Sequence, residues 1–521
     1  MNPTDQIHSI IEALYGHARR DPERPAILFE GETISYGQLW ADIERFARGL
    51  RAWGAQPGDR VALFLENCPE FVVAYLGAHL VGCIAVLVNT QYRQVELSHI
   101  LNDAGVRLCV TSLAGAAELA TISAPSLAAL IIVGGEDDAE SADAAQTPER
   151  TFFAGWLARG VDDAIPLSLP AKDASAVLAY TSGTTGRAKG ALLLQRNLLA
   201  NARAITQAWR WTENDRLLLT LPLFHAHGLM VGMHGTLLTG ASVVLRRKFD
   251  AADVLATINA DPAVTLFFGV PTMYGRLLAE AERRGAPRPL RLYVSGSAPL
   301  SPRVFAEFER VFGQRILERY GMTETIMNMT NPYDGERRPG TVGAPFPGQE
   351  GRVVGVSDRQ PLPDGEIGEI EVRGPHVFTG YWNRPDATAE AFSAAGWFKT
   401  GDLGWRSADG YYTITGRARE LIISGGYNIY PREVEDTLAE HPAVAEVAVL
   451  GAPDADLGEQ VVAVIVPRAG QTPDATDIIA YCRERLASYK KPRRVVFVDS
   501  LPRNALGKVQ KHLLTERLSD R

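Results

Sequence analysis

The sequence predicts an α/β protein: a large N-terminal domain of mixed sheets with helices, a β-rich subdomain within it, and a small α+β C-terminal domain. Three observations carry this. At 521 residues the chain exceeds what one core supports, so it divides into domains. Up to about residue 340, segments of helical period alternate with short apolar runs, the pattern of a largely parallel sheet with helices on its faces. From about 340 to 416 strand-like runs and turns such as LPDGEIGEI and SADGYYTI take over, and after GRARELIISGGYNIYP a compact α+β pattern runs to the end.

Taken in order, SYGQLWADIERFARGLRAW reads as an amphipathic helix and RVALFLEN as a strand. The apolar stretch FVVAYLGAHLVGCIAVLV (71–88) is almost long enough to cross a bilayer, but it reads better as two buried elements. Asn67 is placed to cap a helix, Pro69 fits its first turn, Gly82 ends it, and CIAVLVN follows as a strand. His79 in the middle speaks against lipid. ELSHILNDAG reads as a helix and RLCVTS as a strand; residues 135–149, acidic and aperiodic, read as a surface excursion. SAVLAYT (175–181) is a buried strand, with further strand–helix pairs through RLYVSGSAPL and RILERYGMTET. In the C-terminal part PREVEDTLAEH and ATDIIAYCRERLASY are helices, and AEVAVLG, QVVAVIVP and RRVVFVDSL are strands. The expected division is 1–416, a hinge at 417–420, and 421–521.

A formal net charge of −8 with no basic block argues against nucleic acid as the main partner. Cys68, Cys83, Cys109 and Cys482 form no CxxC pair and read as reduced core thiols. The N-terminus has no basic start followed by an apolar run, so neither a secretory nor a transit signal is expected. A cytoplasmic enzyme without integral membrane association is expected.

TSGTTGRAKG (181–190) is built to hold phosphate. Its glycines let backbone N–H groups approach an anion, its threonines add hydroxyl donors, and Lys189 adds a full charge. It is not a P-loop, because Gly183, Gly186 and Lys189 have the wrong spacing and Gly190 stands where Ser or Thr is required. Taken alone, a solvated Gly/Thr turn after a strand remains open.

RYGMTET (319–325), WFKTGDLG (397–404), GRARELIISGGYNIYP (416–431) and PRNALGKVQK (502–511) follow in order. With TSGTTGRAKG they resemble the acyl-adenylate-forming enzymes, over nearly the whole chain. The resemblance implies a two-step reaction with ATP, Mg²⁺ and coenzyme A. A carboxylate attacks the α-phosphate to give acyl-AMP and pyrophosphate, and a thiol then displaces AMP. It implies that Thr181, Ser182, Gly183, Thr184, Thr185, Gly186 and Lys189 hold the β- and γ-phosphates. Glu324, helped by Thr181, would be the Mg²⁺ ligand, and Thr323 lies in the same motif. A glutamate beside threonines could otherwise cap a helix. Asp402 would bind the ribose, with Arg417 near ribose and phosphate; Ser297, Ala298 and Tyr320 would flank adenine. Lys508 matches the catalytic lysine, a cation fixed where charge accumulates on the α-phosphate. His225 matches a histidine at the edge of the acyl pocket. Glu420 matches the hinge residue of a mobile small domain, and Gly425 and Gly426 match the loop that meets coenzyme A. Arg419 and Glu420 stand where the family often has Lys-Asp. Lys490, Lys491, Arg493 and Arg494 could meet the phosphates of coenzyme A or form a solvated face.

LPLFHAHGL (221–229), FFGVPTMYGRLL (267–278) and the run from Glu318 to Gly343 resemble the malonyl-CoA synthetases of this family. This implies malonate, or methylmalonate, as the acid. Its second carboxylate needs a cation in the pocket, since a buried unpaired charge costs several kcal/mol. Arg276, on a helix begun by Pro271 and held to the core by Met273 and Leu277, is the candidate, with hydrogen bonds from Ser295 or Ser297 and a polar contact from His227. A ligase for a monocarboxylic acid, aryl or short- to medium-chain, would have an apolar pocket instead. A non-catalytic adenylate-binding protein is the reading of another class; Lys508 and Glu324 argue against it.

Overall fold

The computed structural model describes residues 7–134, 148–161, 166–181, 188–424, 427–454, 456–504 and 507–519. Among these the large domain holds three sheets. One runs, edge to edge, Gly380–Tyr381, Lys189–Leu194, Ser175–Thr181, Ile84–Leu87, Arg60–Phe64, Leu108–Ser112, Ala129–Val133 and Glu149–Phe152. It is parallel from Ser175–Thr181 outward, with the first two strands antiparallel. A second has a parallel centre in which Arg216–Leu219, Leu266–Gly269, Leu292–Ser295 and Leu317–Tyr320 are successive neighbours. The third is the antiparallel set Glu350–Val354, Gly368–Arg373, Phe398–Arg406 and Tyr412–Arg417 within the region read as β-rich. The small domain pairs Ile422–Ser424, Tyr427–Ile429, Val444–Asp454, Gly458–Pro467 and Arg494–Phe497, packed by helices Pro431–Ala439 and Ala475–Arg485.

Parallel strands buried on both faces read as continuous apolar runs rather than alternating ones. IAVL (84–87), LFFG (266–269) and LYVS (292–295) are such runs and are wholly buried. Helix Pro69–Leu80 is apolar all round because it lies inside the core, where Phe71, Val72, Ala74 and Leu76 are fully covered. His79 in that helix is buried and spends its Nε2 on the Ala176 carbonyl at 2.9 Å. Among the described residues no helix is long and apolar enough to cross a membrane.

Two local expectations are corrected. Asn67 does not cap this helix; Cys68 stands at the N-cap and makes no side-chain cap bond. Asn67 is instead a buried cross-link, donating to the carbonyls of Leu221 and Arg246, each at 2.9 Å, and accepting from the Leu223 N–H at 2.8 Å. Three long-range backbone groups outbid one local cap, because each of them would otherwise be buried without a partner. The expected surface excursion ends early: residues 135–147 lie outside the described residues, but Glu149 begins a strand parallel to Ala129–Val133.

Candidate active site

Parallel strands in register deliver their carboxyl ends to one edge of a sheet, where ligands of α/β proteins sit. Gly269 pairs with Ser295, and Ser295 with Glu318, so the segments that follow, Val270–Pro271, Gly296–Ala298 and Tyr320–Glu324, emerge side by side. Thr181 ends a strand of the eight-stranded sheet. The next described strand, Lys189–Leu194, runs antiparallel to it, with Thr181 opposite Lys189. Lys189 is therefore a strand residue, its ammonium 5.3 Å from the centre of the Tyr381 ring. Ser182, Gly183, Thr184, Thr185 and Gly186 lie outside the described residues, as do Gly425 and Gly426.

YGMTET forms no helix, so Glu324 caps none; it lies in a turn after Leu317–Tyr320. Its carboxylate is buried and accepts the Tyr381 hydroxyl at 2.9 Å. Burial raises its pKa, and the Tyr381 bond and Arg417 oppose that rise. Thr323 beside it is half-buried. Among the described residues no group of three or more His, Cys, Asp or Glu could hold an ion. A cation at Glu324 would thus take most of its ligands from phosphate and water, as Mg²⁺ prefers.

Asp402 anchors a second group. Its Oδ1 pairs with Arg417 Nε at 2.7 Å, and its Oδ2 accepts the Tyr320 hydroxyl. The Asp402 carboxylate raises the Arg417 pKa. Lys508, from the small domain, feels the fields of Arg417, Asp402, Glu420 and Arg419. Its loop touches the large domain directly: a Cβ on Gly507 (φ +74°) would stand 2.9 Å from Thr272 Oγ1. Ala418–Glu420 forms one 3₁₀ turn between the two domains, and Glu420 lies 3.4 Å from Lys511. Although Lys508 is exposed as a residue, the protein around its ammonium and the positive charge of Arg417 lower its pKa. In the role the resemblance implies, the protonated form is the useful one, so adenylate formation should fall at the alkaline end sooner than an ordinary lysine (pKa about 10.4) would dictate. Pyrophosphate release followed against pH should show this limb, and thioester formation from supplied acyl-AMP should lack it.

The acid-facing residues divide. His227 begins a π-helical segment, His227–Met233, a form often found at functional sites. Its ring is buried, with Nδ1 3.3 Å from Ser297 Oγ and Nε2 without a partner. The His227 N–H donates to His225 Nδ1 at 3.2 Å, so the proton of neutral half-buried His225 sits on Nε2. Burial and Arg319 hold His225 down to about 4 and push His227 well below its usual range. Both are neutral at physiological pH. Ser295 is fully buried with its Oγ unpartnered; Ser297 holds φ +69°, and Ala298 beside it is half-buried.

Arg276 does not join this group. It is exposed on helix Pro271–Arg284, where it lines an open surface cavity with Phe249, Asp250, Ala251, Ala279, Glu280 and Arg283. Met273 and Leu277 do pack inward as expected. The cation beside the histidines is Arg319, which sequence reasoning passed over. It is 3% exposed, its Nε and Nη2 have no hydrogen-bond partner, and burial lowers its pKa to about 9, so it remains charged at neutral pH. Its guanidinium lies against the Gly296 backbone: a Cβ there would come within 2.3 Å of Cζ. The missed signal was available. Leu317–Tyr320 is flanked on both sides, parallel to Leu292–Ser295 and antiparallel to Met329–Thr330, and a charged residue inside such a covered strand has nowhere to go but the interior.

Comparison with known proteins gives the family and the fold. Residues 14–382 match the model of the AMP-binding enzymes, and residues 433–508 match that of the AMP-binding enzyme C-terminal domain. A sulfoacetate–CoA ligase of Cupriavidus necator is 38% identical over 94% of this chain and 94% of its own. A malonate–CoA ligase of Arabidopsis thaliana is 33% identical over 98% of this chain and 89% of its own. ATP-bound MatB from Rhodopseudomonas palustris superimposes with a TM-score of 0.88 at 39% identity, covering 97% of this chain and 98% of that one. The apo form of the same protein gives 0.78, so the present arrangement is nearer the ATP-bound one.

Proposed function

The chain belongs to the AMP-binding enzymes, and from that premise we propose that it joins malonate to coenzyme A. The coarse activity is that of the family: an acyl-CoA ligase working through an acyl-adenylate. The hairpin loop and Lys189 hold the β- and γ-phosphates of ATP. Glu324 would hold Mg²⁺, which would offset the repulsion between triphosphate and incoming carboxylate. Asp402 receives the ribose hydroxyls, and Lys508 neutralises charge as it grows on the α-phosphate oxygens. For the second step the small domain turns about Glu420 and brings Gly425 and Gly426 to the thiol.

The observation that carries the choice of acid is Arg319, a buried guanidinium with two unpartnered nitrogens whose charge acts on His225 and the buried His227. An unpaired buried charge is costly, and a planar carboxylate is its natural complement. A monocarboxylic acid would leave the cost unpaid; an acid with a second anionic group removes it. Arg319 therefore replaces Arg276 in this reading. A sulfonate meets the same need, and the 38% identity to a sulfoacetate–CoA ligase makes sulfoacetate the second reading.

An acid panel with ATP, Mg²⁺ and coenzyme A, scored by release of AMP and pyrophosphate, tests this. Malonate and methylmalonate should stand well above acetate, butyrate and benzoate. Sulfoacetate ahead of malonate would move the assignment to the sulfonate. Preference for butyrate or benzoate would overturn the reading of Arg319, and ADP in place of AMP would overturn the reaction.

A further inference from the structure

The neighbouring strands Gly368–Arg373 and Phe398–Arg406 do not pair evenly. Glu369 stands opposite Leu403 and Glu371 opposite Lys399, so Ile370 alone faces Thr400, Gly401 and Asp402. Such a bulge breaks the ladder locally, and the buried backbone groups it releases need other partners. Two side chains supply them. The Thr400 hydroxyl donates to the Ile370 carbonyl at 2.7 Å and accepts the Asp402 N–H at 3.1 Å. Glu369 Oε1 accepts the Gly401 N–H at 3.2 Å, with Gly401 at φ +69°. The other Glu369 oxygen pairs with Arg359, which also pairs with Glu371, and Glu371 in turn holds Arg352 at 2.6 Å. Thr400, Glu369 and Glu371 are all buried. The bulge ends at Asp402, directly opposite Arg417 on the next strand, where their ion pair forms.

We infer that Thr400 and Glu369 are positioning residues for the nucleotide ribose: they stabilise the bulge that turns the Asp402 carboxylate towards Tyr320 and Arg417. This rests on the reading of Asp402 as the group that receives the ribose hydroxyls. Without the Thr400 hydroxyl two backbone groups lose a partner, and without the Glu369 carboxylate a third does. The bulge would then relax towards regular pairing, and a slip of one residue in a strand swings a side chain to the opposite face. A carboxylate fixed in advance spares the ribose the cost of ordering it. Neither side chain needs to touch the nucleotide; both act through Asp402.

Kinetics with ATP, 2′-deoxy-ATP and 3′-deoxy-ATP, run with the best acid of the panel, separate positioning from folding. The unmutated enzyme should prefer ATP to either deoxynucleotide by about tenfold or more, the worth of a hydrogen bond to a charged group. Thr400→Val, which keeps the shape and removes the hydroxyl, should lower kcat/KM for ATP about tenfold and for the deoxynucleotides much less, so that the preference shrinks towards one. Thr400→Ser should restore the preference, and Glu369→Leu should shrink it as Thr400→Val does. An unchanged kcat/KM for ATP in Thr400→Val, equal losses with all three nucleotides, or a Thr400→Ser enzyme no better than Thr400→Val would overturn the inference. The two Thr400 variants decide it even where Glu369→Leu does not fold; a folded Glu369→Leu enzyme with its preference intact would remove Glu369. Should the unmutated enzyme use the deoxynucleotides as readily as ATP, the reading of Asp402 fails first and the inference with it, an outcome seen without any variant.

Discussion

Lys508→Ala should lose adenylate formation by about 10²–10³-fold, the cost of removing one fixed donor from a developing oxyanion. Thioester formation from supplied acyl-AMP should stay within a few-fold of wild type. The asymmetry follows from where the lysine is. It belongs to the small domain, yet its ammonium shares a field with Asp402 and Arg417 of the large one, and Gly507 beside it rests on Thr272. That contact requires the small domain to sit as it does here. On the proposed reading the small domain turns away for the second step, which then does not use the lysine. Measuring pyrophosphate release and thioester formation separately checks this; matching losses in the two would mean that Lys508 serves the fold rather than the first step.

Arg319→Leu should have the second largest effect, and an unusual combination of signs. Truncating one partner of a buried charge pair costs 2 kcal/mol or more, so kcat/KM for malonate should fall by roughly 30-fold or more. Stability of the free protein should not fall with it, because replacing an unpaired buried cation by an apolar side chain is often neutral or stabilising. Turnover of butyrate should rise as the pocket becomes apolar. Arg276→Leu, on the exposed face of its helix, should leave malonate kinetics unchanged. Steady-state kinetics on both acids with a thermal melt of each variant suffices. Undiminished malonate turnover in Arg319→Leu would remove this arginine from the account.

The two arginines show where sequence reasoning reaches and where it stops. Both lie in quotable motifs, and both suit a carboxylate. Helical periodicity correctly turned Met273 and Leu277 inward, and the same periodicity turns Arg276 outward. The requirement for a cation drew attention to the helix and away from the strand, where Arg319 sits in a sheet covered on both faces. Asn67 teaches the same lesson at smaller scale. Its position before Pro69 is that of a helix cap, but residues more than 150 positions away claim its amide. The antiparallel return at Lys189 was also hidden, since a strand leaving a glycine loop has no local mark of its direction.

What the sequence determined unaided was the order of helices and strands, the break into a large and a small domain, and the set of motifs that identifies the chemistry. These follow from periodicity, turn residues and short-range spacing, all of which act between near neighbours in the chain. The tertiary structure decided which arginine is buried beside the histidines, that Asp402, Arg417 and Lys508 share one field, and that His99 reaches the Ala188 carbonyl. Those outcomes depend on burial and on partners distant in sequence, and desolvation, which sets the cost of every unpaired charge, exists only once the sheets have packed.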